Sequence, residues 1–186
     1  MVQTRFVLMM ILAVAATAAF GQNLKLVEAA KKLVDPNIVY DPTYVRIKYP
    51  MGDVDPGTGV CTDVVIRAYR ELGIDLQKEV HLDISANFSK YPNEKRWGLK
   101  TPDRNIDHRR VPNLMVFFSR KGKVLKITGN AADYKPGDIV CWDLGGGILH
   151  IGIVMEEPEH IFHNIGGGQV VEDRLFRWTI IGHYSY

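Results

Sequence analysis

Cys61 lies where a glycine-containing loop, DPGTGV, gives way to a segment with helical periodicity, CTDVVIRAYRELG. The first backbone N–H groups of a helix have no partner inside the helix, and the helix dipole is positive at that end. Both effects favour a thiolate over a thiol, so this position predicts a lowered pKa and a stronger nucleophile. The same N–H groups can hold a developing oxyanion. Cys61 is therefore the candidate nucleophile.

Two histidines on consecutive predicted strands are the candidate partners of Cys61. His150 lies within LHIGIV, on the face opposite its aliphatic neighbours. His163 follows in HIFHNI, and adjacent strands bring such residues side by side. We expect His150 to act as general base and His163 to orient it by bonding its second nitrogen. Asn164, on the opposite face from His163, is the reserve candidate for this third role.

A dense polar run, Asp107 to Arg110, separates the predicted helical and β regions. A guanidinium group can bind a carboxylate through two parallel hydrogen bonds, which makes Arg109 and Arg110 candidates for holding a substrate carboxylate. The other interpretation is an ion-pair network that anchors the loop. The sequence leaves both open.

A metal site is a further alternative, with ligands drawn from Cys61, His150, His160 and His163. The H-x-x-H spacing at 160–163 suits a helix, where residues three apart share a face. This segment is predicted to be a strand, and no C-x-x-C pair is present. Nucleotide-binding loops are absent too, because GGGI at 145–148 has no helix pattern after it. The sequence therefore predicts neither metal nor cofactor.

The hydrophobic pattern changes along the chain from helical to strand-like. Helices are predicted over 24–34 and 61–73, with a weaker one over 81–91, and 40–60 is predicted to be an irregular loop. Short strands are predicted over 114–119, 123–127, 138–144, 148–155, 160–165 and 169–173. Helices followed by such a meander predict an α+β domain with an antiparallel sheet of about five to six strands.

Residues 1–21 have the layout of a secretory signal peptide. Arg5 precedes an apolar run from Phe6 to Phe20, and small residues lie before a possible cut ahead of Gln22. The alternative is an uncleaved anchor, but the run is short for a spanning helix, which needs about 20 apolar residues. We therefore expect a mature α+β domain of residues 22–186. It would be exported to the periplasm or extracellular space, with no stable membrane insertion after cleavage.

Composition excludes some classes of protein. Hydrophobic residues are 46% and charged residues 24% of the chain, which excludes a disordered protein. The formal net charge is only +2, so no nucleic-acid partner is expected. In an oxidising compartment Cys61 and Cys141 could instead form one structural disulfide, a bond worth about 2–4 kcal/mol. The rival hypothesis is thus a non-catalytic exported binding module.

The order of these residues resembles that of the NlpC-type cell-wall cysteine peptidases, a papain-like group. The resemblance lies in residues 61–72 and 136–165, where a cysteine begins a helix and HIGIVM follows KPGD, with a second histidine in the next strand. A resemblance over nearly all of the mature chain is to the bacterial DUF1287 family, which is placed near the same peptidases and has no assigned function. Its motifs here are GVCTDVVIRAYRELGIDLQ, NIDHRRVPNL, PGDIVCWDL, HIGIV, HNIGGG and GHYSY.

The peptidase resemblance implies a papain-like core, in which the helix bearing Cys61 packs on the antiparallel sheet. It implies a catalytic set of Cys61, His150 and His163 that hydrolyses amide bonds through a thioester. The implied substrate is peptidoglycan or another peptide, and no cofactor is implied.

The residues around the cysteine depart from the peptidase motif. That motif has Asp before the cysteine and Ser-Gly after it, whereas Val60 precedes Cys61 and Thr62 follows it. The residues that contact substrate have therefore changed, and the known cleavage specificity is not carried over. The candidates for substrate binding in this chain are Asp63, Arg109, Arg110 and Asn164.

Overall fold

The computed structural model describes residues 24–186. The predicted signal peptide at residues 1–21 lies outside this part of the chain. Among the described residues, no helix has both the length and the apolar character that crossing a bilayer requires.

The α-helices lie in the first two thirds of the described chain. The helix predicted over 24–34 is present as α1 over residues 24–32, and the helix predicted from Cys61 is present as α2. The weaker helix begins earlier than predicted, because the Asp75 carboxylate accepts from the Lys78 N–H at 3.2 Å and caps it. The remaining bounds are α2 Cys61–Glu71, α3 Leu76–Ala86, α4 Asn93–Trp97 and α5 Val111–Lys121.

One antiparallel sheet forms the second layer. In the described chain it has six strands in the order β3-β8-β4-β5-β6-β7, which confirms the α+β prediction. A small parallel pair, β1 (Val39–Tyr40) and β2 (Thr58–Gly59), lies in the predicted irregular loop. The sheet strands are β3 Lys123–Val124, β4 Ile139–Asp143, β5 Leu149–Val154, β6 His160–His163, β7 Val170–Asp173 and β8 Thr179–Ser185.

The strand predicted over 114–119 is wrong, because this segment belongs to helix α5. Leu114, Phe117 and Phe118 are completely buried, and their spacing of three and four residues puts them on one helical face. Pro112 lies in the first turn, where its missing N–H costs no helical hydrogen bond. The strand predicted over 123–127 is only two residues long.

Helix α2 packs on one face of the sheet and so places Cys61 at its start. Its buried Val64 and Ala68 belong to the main core, together with Ile151 and Phe162 from the central strands. Burying a side chain the size of valine contributes about 1.5–3 kcal/mol, so this packing holds the helix against the sheet. Its first turn is thereby held beside β5.

The other face of the sheet carries a separate aromatic cluster. Trp142 is completely buried there with Val154 and Ile161, and its Nε1–H donates to the carbonyl of Leu175 at 2.8 Å. His150 is the cross-strand partner of Trp142, so it belongs to this second face. The two faces meet at β5, whose consecutive residues point to opposite sides.

Candidate active site

Cys61 is the first residue of α2 and lies at the wall of a cleft of about 250 Å³. Its side chain is buried, with 4% of the residue exposed. The first turn is closed by Asp63, whose Oδ2 accepts from the Val60 N–H at 2.7 Å. Residues of the cleft that bear on its chemistry are Tyr40, Arg96, Trp97, Arg109, Arg110 and Leu149.

Three hydrogen-bond donors point at the Cys61 sulfur. They are the backbone N–H groups of Ile151 and Thr62 and the hydroxyl of Tyr40, and each favours the thiolate. Burial outweighs them and, helped by the nearby Asp63 carboxylate, raises the pKa of Cys61 to about 12. The lowered pKa expected from the helix position is therefore wrong. Desolvation exceeds the effect of the helix N-terminus, and the resting group is a thiol.

His150 and His163 are brought together on the second face of the sheet. His150 Nε2 lies 2.8 Å from His163 Nδ1, with the ring centroids 5.0 Å apart. Only 2% and 0% of these two residues are exposed. Burial lowers the pKa of both rings, to about 3 for His150, so both are neutral near pH 7.

Glu172 extends this pair, and sequence analysis missed it. Its Oε2 lies 2.8 Å from Nε2 of His163, which completes a chain of three side chains. In the β6–β7 ladder His163 lies opposite Val170, so Glu172 is two residues further along on the same face. The hairpin register around Gly166–Gly168 was the signal that would have found it.

The thiol and the histidine chain approach β5 from its two sides. Cys61 packs in the main core with Ile151 and Cys141, while His150 packs against Trp142. Within residues 24–186 no hydrogen bond joins Cys61 to His150, and both cysteines are free thiols. The structure therefore brings His150 together with His163 and does not bring it into contact with Cys61.

Arg109 and Asp63 bind each other, which favours the ion-pair interpretation. Nε and Nη2 of Arg109 donate to Oδ1 and Oδ2 of Asp63, both at 2.9 Å. The same guanidinium reaches the carbonyls of Asp41 and Thr43 at 3.4 and 3.5 Å. Neither side chain of the pair therefore offers a free group to a substrate.

Asn164 is also engaged with backbone. It is fully buried, donates to the carbonyl of Gly59 at 3.4 Å and accepts from the Gly166 N–H at 3.0 Å. These bonds tie the end of β6 to the loop before Cys61. Asn164 makes no hydrogen bond to His150 in the described structure, so it holds a loop rather than the base.

Arg110 is the predicted arginine with the more available guanidinium. It makes one bond to Asp107 at 3.2 Å and lies over the Trp97 ring, 4.1 Å from its centroid. Arg96 approaches the same ring at 5.9 Å and donates to the carbonyl of Gly147 at 3.1 Å. Trp97 with these two arginines forms a basic wall of the cleft that sequence analysis did not anticipate.

Among residues 24–186, no group of three or more acidic, histidine or cysteine side chains is arranged to hold a metal ion.

Comparison with known proteins gives the family. Residues 27–186 match the model of the domain of unknown function DUF1287. The chain belongs to the DUF1287 family. This confirms the resemblance carried by the sequence motifs.

The relatives of this DUF1287 protein include one in Escherichia coli (strain K12), "Uncharacterized protein YijF". The two are 48% identical, and the match covers 88% of this chain and 82% of the relative. Among solved structures, NlpC1 from Trichomonas vaginalis is similar at 15% identity with a TM-score of 0.48. That match covers 89% of this chain, which spans 44% of the length of NlpC1.

Proposed function

We propose that this DUF1287 protein is an exported cysteine hydrolase that cleaves amide bonds in carboxylate-bearing peptides, with cell-wall peptides as the substrate class. One observation carries the proposal. Two consecutive residues of β5 contact the two parts of the site. His150 begins the chain of hydrogen bonds to His163 and Glu172, and the Ile151 N–H donates to the Cys61 sulfur. Thiol hydrolysis needs a nucleophile and a base oriented by a third group, so the proposal requires the side chains of Cys61 and His150 to meet beside β5 when substrate is bound.

The proposed reaction has two stages. The Cys61 thiol gives its proton to His150 as the sulfur bonds to the amide carbon, and N–H groups at the start of α2 stabilise the oxyanion. His150 then protonates the leaving amine, which breaks the C–N bond and leaves a thioester. A water gives its proton to His150 and attacks the thioester, and the thiol and a free carboxylic acid are released.

The pKa values determine when the proton moves. Burial raises the pKa of Cys61 to about 12 and lowers that of His150 to about 3, so the resting pair is a neutral thiol and a neutral imidazole. A preformed thiolate–imidazolium pair is therefore unfavourable in the free protein. We infer that proton transfer accompanies attack on a bound substrate, as in general base catalysis.

The basic wall of the cleft supports a carboxylate-bearing substrate. Arg110 and Arg96 flank Trp97, and both line the same cleft as Cys61. Partial burial strengthens an arginine–carboxylate bond, because less water competes for either partner. Cell-wall stem peptides are rich in carboxylates and amide bonds, which makes them the natural class to test first.

The test is digestion of purified peptidoglycan by the full chain, with released fragments identified by mass spectrometry. We expect release by the wild type and none by the Cys61→Ala or His150→Ala variant. Cys141→Ala is the matched control, because Cys141 is a completely buried cysteine that is not among the residues lining the cleft. It should retain activity.

Two outcomes would contradict the proposal. If folded Cys61→Ala released as many peptidoglycan fragments as the wild type, Cys61 would not be the nucleophile. No release from peptidoglycan or from model peptides, together with equal binding by wild type and Cys61→Ala, would support a non-catalytic binding module. The burial of the Cys61 thiol is the observation that favours this second function.

A further inference from the structure

We propose that Glu172 is a positioning residue that fixes the tautomers of His163 and His150, leaving Nδ1 of His150 as the bare basic nitrogen. The assignment of tautomers follows from geometry. Its consequence for catalysis rests on the proposed function. Glu172 lies at the far end of the chain of hydrogen bonds, two hydrogen bonds away from His150.

The direction of each hydrogen bond follows from the chemistry of the last group. An ionised carboxylate can only accept, so the 2.8 Å contact requires the proton to be on Nε2 of His163. Neutral imidazole carries one proton, so Nδ1 of His163 is an acceptor. Nε2 of His150 must then donate across its own 2.8 Å contact. Nδ1 of His150 is left with a free lone pair.

The surroundings hold Glu172 in its ionised form. Burial alone raises its pKa, but the bond from His163 and the charge of Arg174 outweigh this and lower it. Arg174 Nη2 lies 3.4 Å from Oε1, so each carboxylate oxygen has its own partner. Trp142 of β4 and Trp178, which directly precedes β8, place uncharged rings against the two histidines.

Gly152 supplies the space that this arrangement needs. A Cβ at this position would lie 2.9 Å from the carbonyl oxygen of Phe162 and 3.3 Å from Cβ of His163. A larger residue would therefore push β6 and His163 away from β5. The sequence His-x-Gly thus places the base, His150, two residues before the glycine that leaves space for His163.

Without the Glu172 carboxylate, the hydrogen bond between His150 and His163 could run in either direction. His163 could then carry its proton on its own Nδ1 and donate it to Nε2 of His150. The proton of His150 would then lie on Nδ1 of His150. A histidine protonated at Nδ1 cannot receive a thiol proton there. Loss of Glu172 therefore lowers the population of the competent base without touching the thiol.

The experiment is a long-range ¹H–¹⁵N correlation spectrum of the full chain with ¹⁵N-labelled histidine, recorded at pH 7. We expect both His150 and His163 of the wild type in the Nε2–H form. In Glu172→Gln the amide can donate as well as accept, so Nδ1–H forms should appear at both residues. Asp173→Asn is the matched control, since Asp173 is the next residue of β7 and points to the other face.

A second variant keeps the test decisive if one fails to fold. Glu172→Ala removes the acceptor altogether and should also give Nδ1–H forms. The proposal is overturned if the wild type holds His150 as Nδ1–H, or if either folded variant keeps the wild-type tautomers.

Activity provides a separate readout. If the wild type hydrolyses amides, Glu172→Gln should lower kcat at least about tenfold with little change in KM, because a wrong tautomer impairs proton transfer. If the wild type has no activity, the proposed function fails while the spectra still decide the role of Glu172. An active Glu172→Gln variant with an unchanged kcat would contradict the catalytic consequence.

Discussion

Arg109 and Asp63 form a bidentate ion pair between residues 46 positions apart in the chain. Their side chains are only 4% and 3% exposed. The pair joins the first turn of α2, and hence Cys61, to the segment before α5. Because both charges are removed from water, each depends on the other for its stabilisation.

We expect Arg109→Ala to lower the free energy of unfolding by about 3–5 kcal/mol, since it leaves the Asp63 carboxylate buried without its partner. Urea denaturation followed by circular dichroism measures this loss. The double variant Asp63→Ala/Arg109→Ala should lose less than the sum of the two single variants. Additive losses would show that the two side chains act independently.

An exposed ion pair provides the control. Lys100 and Glu94 also form a salt bridge, but their side chains are 77% and 61% exposed. Lys100→Ala should leave the free energy of unfolding nearly unchanged, because solvent screens the pair. A large loss in Lys100→Ala would mean that burial does not explain the effect at Arg109.

Arg110 should affect substrate binding rather than folding. We expect Arg110→Ala to raise KM about tenfold or more for carboxylate-bearing peptides with little change in kcat, since the lost contact exists before and during reaction. Steady-state kinetics on a peptide and its carboxamide analogue test this. The analogue should show little difference between wild type and variant. An equal rise in KM for both peptides would remove the carboxylate from the explanation.

The sequence was sufficient to predict most of the sheet, and it failed where two periodicities overlap. Strands predicted over 138–144 and 148–155 are confirmed as β4 and β5, since each is bounded by turn residues. The apolar run at 114–119 fits a buried strand or a buried helix equally well by pattern alone. Tertiary packing decides it, because three of its side chains face one core from a helix.

The site was predictable in residue identity more than in electrostatics. The spacing of the predicted strands was enough to place His150 beside His163, and the glycine loop before Cys61 was enough to place it at a helix start. The pKa of Cys61 was not predictable, because it depends on how deeply long-range packing buries the sulfur. Glu172 required the register of a hairpin that the sequence only outlined.

Buried histidines should make the fold sensitive to mild acid. Burial lowers the pKa of His108 and of His150 to about 3, and it also lowers that of His163. Between about pH 6.5 and 4.5 these histidines bind protons in the unfolded chain, whereas in the folded chain they stay neutral. The free energy of unfolding should therefore be greatest above about pH 6.5 and fall as the pH decreases. Urea titrations across this range measure it.

His108 allows this effect to be assigned to one residue. It is 2% exposed, and its Nδ1 has no hydrogen-bond partner in the described structure. After burial, the charges of Arg109 and Arg70 are the next causes of its lowered pKa. His108→Leu should reduce the slope of stability against pH by up to about 1.4 kcal/mol per pH unit. An unchanged slope would show that His108 takes no part.

Alkylation of native Cys61 should be slow at neutral pH. With its pKa raised to about 12 by burial, the thiolate is about one part in ten thousand at pH 8. Iodoacetamide labelling read by mass spectrometry should accelerate about tenfold with each pH unit and level off only near pH 12. Cys141, which is completely buried, should label only after unfolding. Rapid labelling of Cys61 at pH 7 would contradict the desolvated thiol.

Tyr40 provides the matched variant for Cys61. Its hydroxyl donates to the sulfur and so favours the thiolate, which means that Tyr40→Phe should slow labelling further.

The raised pKa of Cys61 also predicts a loss of stability above about pH 8.5, where the unfolded thiol ionises before the folded one. Cys61→Ala should lose less stability than the wild type between pH 8.5 and 11. If both chains lose stability equally over that range, ionisation of Cys61 is not coupled to unfolding, and a buried neutral thiol cannot be the resting nucleophile.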